Sequence, residues 1–342
     1  MDTQDARQIA RDAYMFGFSF VANYRVFIRR VVAGDPLMLG KGFNEFAHYR
    51  DLIPDDTPDT PQHDTLYSLA VLDLRREPIV VSVPDVVDPF TYMLQLGDTS
   101  TETLPYISTL TTGNQARNVA LVGPDYQGHL PADRLDGVIT TRGQFVIVIG
   151  RTSIVDPDDL VPLQQIQDGM ALRPLSEYLG TGTPPEPAPV AFPAWDDDKA
   201  DGLGVFDYIN QTLAWHPPAF GEVDHMARFA QIGVVPGQRF TTERMDDDLV
   251  AALESGIADA KAEIESMVEQ ISPVVNGWTW ATNDISRFGT DYLVRAAVSL
   301  KNIYPNAPDH AIYGQAFRDA DGETLTGEHI YTITFPQARH IQ

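Results

Sequence analysis

The sequence predicts an α+β protein of several packed units: an N-terminal helix, an antiparallel β-sandwich, a helical middle and a short C-terminal β segment. Three observations carry the prediction. Apolar residues recur at helical spacing from Ile9 to Val31, short β-type runs broken by Gly and Pro follow from Leu66 to Ile149, and helical spacing returns after Arg151. At 342 residues the chain is too long for one small core, so two or three packed units are expected. The boundaries read as a helical segment at 1–50, the sandwich at 51–155, a helical unit at 156–305 and a C-terminal β-hairpin at 306–342.

Ile9, Ala13, Phe16, Phe20, Tyr24, Phe27 and Val31 lie on one helical stripe, capped by Asp2 or Thr3 and stopped at Gly34-Asp35-Pro36. Its aromatic density predicts burial against a sheet. Residues 51–63, with Pro54, Pro58 and Pro61, read as an extended loop. Leu66–Leu74 is apolar on both faces of a two-residue period, as a central strand is. Further runs at Ile79–Val83, Thr91–Leu96, Val119–Val122, Val138–Thr140 and Gln144–Ile149 predict an antiparallel sandwich rather than a parallel βαβ sheet.

Helical pieces are expected over Asp158–Tyr178. A linker at 181–200 follows, semi-rigid where Pro184, Pro185, Pro187, Pro189 and Pro193 dominate. Helices are predicted at Val205–Trp215, Met245–Ile271 and Ile285–Ile303. Ala311–Phe317 and His329–Phe335 read as a strand pair joined across Asp319-Ala320-Asp321-Gly322.

The net charge of −24, from 48 acidic against 24 basic residues, repels phosphate backbones and anionic lipid. Nucleic acid and membrane partners are therefore not expected, and solubility is the simplest meaning of the charge. With no cysteine there are no disulfides, thiolate zinc sites or cysteine nucleophiles. Met1–Arg7 lacks the pattern of an export signal, which predicts a cytoplasmic location.

His63, Asp64 and Tyr67 form the sharpest chemical cluster. A strand starting near Thr65 puts His63 and Asp64 at its mouth, where they read as base and orienting carboxylate, with the Tyr67 hydroxyl as oxyanion donor. The structural alternative has Asp64 binding loop amides and Tyr67 in the core. Asp98 and Arg151 end apolar runs, and suit either a buried ion pair or ligand binding with a carboxylate-seeking arginine. Trp278, with Trp215 and Trp280, suits a stacking platform or a core position. No metal site is predicted. Asp319–Glu323 lacks the ligand spacing of a calcium loop, and His216 and His225 have no third partner in view. Nucleophile-elbow, phosphate-loop and dinucleotide signatures are all missing.

Six motifs, in order along nearly the whole chain, resemble a bacterial family of paired domains of unknown function, 1254 and 1214. They are His63-Asp64-Thr65-Leu66-Tyr67-Ser68; Gly123-Pro124 with Gly128 and Pro131; Gly150-Arg151-Thr152; Asn276-Gly277-Trp278; Asp291–Ala296; and Asp319–Gly322 leading to Gly327 and Tyr331. The resemblance implies an immunoglobulin-like sandwich, a helical middle and a C-terminal jelly roll, with no cofactor and no established catalytic residue. His63 departs from the family's usual asparagine. The jelly roll would continue beyond Phe335-Pro336, and members often begin with an export signal. A second domain cut short there would leave strand edges open, which predicts a homo-oligomer built partly on residues 311–335. The expected function is a cofactor-independent enzyme acting on a small organic metabolite by acid–base chemistry, in a cleft between sandwich and helical unit. Hydrolase, lyase or isomerase chemistry fits better than redox. A non-catalytic carbohydrate- or ligand-binding or assembly protein is the alternative.

Overall fold

The structure, a computed structural model, describes residues 2–53, 62–183, 186, 189–280 and 285–334. The loop prolines Pro54, Pro58 and Pro61, the linker prolines Pro184, Pro185 and Pro187, and the terminal Phe335-Pro336 lie outside the described residues.

The predicted aromatic stripe folds as α1 (Thr3–Asn23), which runs through a π-helical turn at Tyr24–Ile28 into α2 (Arg29–Ala33). Gly34, at φ 69°, ends the rod in the left-handed region that a residue without a Cβ adopts freely. Eight strands follow: β1 (Ala47–His48), β2 (Thr65–Asp73), β3 (Ile79–Val83), β4 (Tyr92–Asp98), β5 (Ile107–Ser108), β6 (Arg117–Val122), β7 (Gly137–Thr140) and β8 (Phe145–Ser153). Then come α3 (Val161–Asp168), β9 (Ala171–Pro174), α4 (Leu175–Leu179), α5 (Asp197–Asp201), α6 (Val205–Trp215), α7 (Val223–Phe229) and α8 (Asp247–Gln270). The chain closes with β10 (Val274–Val275), β11 (Trp278–Trp280), α9 (Tyr292–Lys301) and β12 (Gly314–Ala316).

The first sheet, ordered β1-β2-β8-β4-β5, is antiparallel throughout. The second, β7-β6-β3-β9, is antiparallel except that β7 runs parallel to β6. Even positions of the first sheet (Ala70, Leu72, Leu94, Leu96, Val146, Val148) pack with Ile79, Val81, Val119 and Leu121 of the second. Odd positions (Tyr67, Val71, Phe145, Ile147, Ile149) pack instead on α1, α6, α8 and α9. The sheet is thus buried on both faces, which is why β2 and β8 read as apolar runs without alternation.

The helical pieces expected over Asp158–Tyr178 form as α3 and α4, and between them Ala171–Pro174 joins β3 as a fourth strand of the second sheet. Two expectations need correction. The helix expected from Ile285 begins at Tyr292, where Asp291 caps it by accepting from Val294 N at 3.1 Å. Among the described residues the C-terminal hairpin is reduced to an isolated antiparallel bridge, Arg318 to Thr324, across its turn. Gly314–Ala316 pairs with Trp278–Trp280, itself paired with β10, and residues 329–334 carry no strand. The Asp319–Gly322 turn does form, and the Asp319 carboxylate accepts from the amides of Asp321 and Glu323 at 3.0 and 2.9 Å.

The helical layer is fixed where α1 crosses α8. Arg7 pairs with Asp259 and Arg11 with Glu263 along the crossing. Between them Gly256 faces the backbone of Arg7, so close that an added Cβ would meet its carbonyl oxygen and come within 2.8 Å of the Ala10 Cβ. Alanine would gain about 1 kcal/mol of helix propensity. Overpacking against backbone costs about 1–3 kcal/mol and outweighs that gain. Gly256→Ala is expected to lower the unfolding free energy by about 1–2 kcal/mol in urea titration, whereas exposed Glu254→Ala, two positions earlier, leaves it within about 0.5 kcal/mol.

Candidate functional site

Register builds the site. On the helix-facing side of the first sheet, Tyr67 of β2, Arg151 of β8, Met93 of β4 and Ser108 of β5 lie in one cross-strand row. The row lies near the end of β2 and β8 where Thr65 pairs with Ser153. The Arg151 guanidinium lies 5.5 Å from the centre of the Tyr67 ring. Its Nη1 donates to Gln95 Oε1 at 3.1 Å and to Asn306 Oδ1 at 3.2 Å. Gln95 is itself fixed, with its Nε2 donating to the carbonyls of Tyr304 and Pro305 at 3.2 and 2.8 Å. Arg151 Nε is buried and unpaired, and among the described residues no carboxylate forms an ion pair with this guanidinium.

The segment after α9 closes one side. The Tyr106 hydroxyl accepts from Ala307 N at 2.9 Å, and burial pushes its pKa up to about 12. His310 stacks flat on the Tyr106 ring, with centroids 3.6 Å apart. His310 Nδ1 lies 3.1 Å from Asp309 Oδ1, and Nε2 lies 3.3 Å from Ser108 Oγ. The Asp309 carboxyl is held below its ordinary value, chiefly by that hydrogen bond. The arrangement joins a cation, two aromatic faces, neutral amides and an imidazole within one polar cluster.

The sequence-predicted residues are dispersed. Tyr67 and Arg151 meet, as cation over ring. His63 is exposed, with Nδ1 3.0 Å from the Ile53 carbonyl. Asp64 is exposed, and its backbone carbonyl accepts from Ile154 N at 2.8 Å. The Tyr67 hydroxyl accepts from Gln62 N at 3.0 Å. Trp278 belongs to the small β10-β11-β12 sheet, with Trp280 as its ring neighbour. The Asp98–Arg151 ion pair is not made. Asp98 pairs in register with Val146 and Met93 with Arg151, five residues further along β8, roughly 17 Å away at strand rise. Tyr106, Ser108, Asn306 and His310 were not singled out from sequence. The available signal was Asp309-His310 in a turn flanked by Pro305 and Pro308.

Asp98 belongs to a second, closed network. Its Oδ1 accepts from Ser100 N at 2.8 Å, Ser100 Oγ at 2.6 Å and Glu102 N at 3.2 Å. Its Oδ2 lies 3.7 Å from Nε2 of His216, a residue only 1% exposed. Asn23, where the π-turn begins, donates to Thr101 Oγ1 at 2.8 Å, and the Tyr304 hydroxyl bonds both Asn23 and the Asp98 carbonyl. Thr101 and Tyr304 hold φ of 73° and 59°, positions that a residue bearing a Cβ adopts only under local compulsion. Arg295 is buried against Phe16, Phe20 and Tyr292, and donates to the Phe16 carbonyl at 2.7 Å.

Burial is the main cause that lowers the pKa of His216, with Asp98 opposing it. His48, its Nδ1 2.8 Å from Ser68 Oγ, is pushed down to about 4, by burial first and then by Arg50. The unfolded chain takes up these protons near pH 6.5 while the fold resists them, so stability is lost as pH falls below about 6.5. Between pH 6.5 and 4.5, His48→Gln is expected to recover roughly 2 kcal/mol of that loss, read as the difference between the urea-unfolding pH profiles of variant and wild type.

A family model described as a protein of unknown function (DUF1254) matches residues 43–174, the stretch from before β1 to the end of β9. The chain is also similar to the VPA0106 protein from Vibrio parahaemolyticus, known from a crystal structure. That likeness has 21% identity and a TM-score of 0.72, and it covers 94% of this chain and 73% of that one. At this identity the likeness is one of fold. No curated protein matches. The sandwich, with the α3 and β9 segment that completes it, is thus the part of the chain similar to the DUF1254 family, and Tyr67, Arg151, Gln95 and Ser108 all stand on it.

Proposed function

We propose that the chain is an enzyme that binds a small organic carboxylate at Arg151 and acts on it by acid–base chemistry. One observation carries the reading. In a chain of net charge −24, a partly buried guanidinium is held by a tyrosine ring and two neutral amides, with no acidic partner among the described residues. Neutral acceptors leave its charge uncompensated, and a hydrogen bond from such a cation to a ligand carboxylate contributes about 1.5–3 kcal/mol. His310 supplies an imidazole, the group whose ordinary pKa lies nearest neutrality. His63 and Asp64 stand at the mouth of β2, at the same end of the sheet, as further acid–base groups at the rim. The reading invokes no cofactor, and hydrolysis, elimination or isomerisation all suit such a group set.

The architecture extends the proposal. An immunoglobulin-like sandwich is supported by the two packed sheets, and the β10-β11-β12 sheet fits the beginning of a jelly roll. Carbohydrate or other ligand binding without catalysis is the second reading. It is favoured by one feature, the Trp278–Trp280 pair at 6.1 Å with Trp280 exposed.

Millimolar small mono- and dicarboxylates are expected to raise the thermal midpoint of the wild-type chain, with stabilisation of about 2.7 kcal/mol at a hundred times the dissociation constant. Arg151→Gln should abolish the shift. A wild-type midpoint indifferent to every carboxylate, or an equal shift in the variant, removes the reading. Self-association through residues 311–335 is part of the same proposal, supported by solvent-facing Ile312, Phe317, Ile330 and Ile333. Light scattering over micromolar dilution should give more than the monomer mass, and a constant monomer mass rejects it.

A further inference from the structure

We propose that Ser108, His310 and Asp309 form a nucleophilic relay that hydrolyses a carboxylic ester of the small anion held at Arg151, a step that rests on the anion-binding reading above. The proton inventory supports it. Asp309 Oδ1 accepts from His310 Nδ1 at 3.1 Å, which leaves the lone pair on Nε2. That nitrogen faces Ser108 Oγ at 3.3 Å, the arrangement of a base beside the hydroxyl it deprotonates. Thr111 N donates to the same Oγ at 3.1 Å and orients the oxygen. The Tyr106 ring holds the imidazole plane from below at 3.6 Å.

Placement agrees with the chemistry. Ser108 is fixed on β5 by its pairing with Met93, and Met93 is flanked on its other side by Arg151. Ser108 and Arg151 are therefore two inter-strand spacings apart, roughly 10 Å, which suits a molecule bearing a carboxylate and an ester a few bonds apart. Ser108 is 1% exposed, and His310, in a segment that forms no helix or strand, lies against it.

In the first step Ser108 Oγ adds to the ester carbonyl carbon as His310 Nε2 takes the hydroxyl proton. The adduct collapses by breaking the acyl C–O bond, and Nε2–H protonates the leaving alkoxide. Water then attacks the acyl-serine and gives a proton to Nε2. Release of the acid returns that proton to Ser108 Oγ. Water is the only co-reactant, and no electron is transferred. Asp309 touches no substrate and acts as a positioning residue.

The test uses the full chain and an uncharged fluorophosphonate, which needs no contact with Arg151. The expected result is one phosphonyl group per chain, mapped by peptide mass to Ser108, in protein whose circular dichroism and thermal midpoint are native. His310→Gln should slow labelling by roughly a hundredfold or more. Asp309→Asn should slow it too, and Asp309→Glu should restore it. No adduct at Ser108 in folded wild-type protein at millimolar probe, or an adduct at another serine, overturns the relay. Labelling of Ser108 that persists in Arg151→Gln supports the relay on its own, so its failure and that of the anion-binding reading are distinguished.

Discussion

The structure depends on one sheet having no solvent-facing side. β8 lies between β2 and β4, and both its faces are apolar from Phe145 to Ile149. Left uncovered, either face would expose several large side chains, each worth about 1.5–3 kcal/mol of transfer free energy. One face takes a second sheet and the other takes α1, α6, α8 and α9. At Arg151 the residues that meet the odd-numbered side are polar: Gln95, Asn306 and, through Asn306, Tyr106. The candidate site is thus what the end of a two-sided sheet becomes when a loop rather than a helix covers it.

The two polar clusters differ in how their charges are met. Around Asp98 the carboxylate takes three donors from the Ser100–Glu102 turn, and Ser299 bonds both Ser19 and the Arg295 carbonyl, while His216 Nε2 and Arg295 Nε stay without a hydrogen-bond partner. This buried network ties α1, the β4 end and α9 together. The Arg151 cluster is the reverse. Its guanidinium keeps a buried, unpaired Nε and leans on a π face and amides, partners that orient a cation without neutralising it. The first cluster keeps its cation beside the carboxylates of Asp98, Glu102 and Glu222, and the second has no acid paired with its guanidinium among the described residues, which is the difference the proposed anion binding rests on.

Much of the fold was legible because it is local. A 3.6-residue period located α1, α6 and α8, and apolar runs bounded by Gly and Pro located the longer strands. Asp2 and Asp246 cap helices as their residue type predicts. What was illegible depends on contacts distant in sequence. β9 is four residues long, too short for a period to show, and exists because β3 offers a free ladder. The C-terminal hairpin is reduced to one bridge for the same reason, since β11 competes for Gly314–Ala316 from thirty-odd residues upstream. Within the site, Tyr67 and Arg151 could be named from strand ends. The Arg151–Asn306 and Ser108–His310 contacts join residues more than 150 positions apart, which no spacing rule reaches.

The proposed binding of an anion by so acidic a chain would set two ranges of electrostatics against each other. The net charge of −24 raises a field that repels a carboxylate, but at physiological salt that field decays over about 8 Å. Inside that distance the nearest charge decides. A carboxylate about 4 Å from Arg151 gains about 4 kcal/mol at an effective dielectric of 20, against about 1 kcal/mol in bulk water. The gain depends on keeping other acids away from the guanidinium, and the Tyr67 ring with the Gln95 and Asn306 amides fills the positions an aspartate or glutamate would take. The neutral lining is therefore a condition for binding, because a carboxylate from the protein would close the site to one from solution.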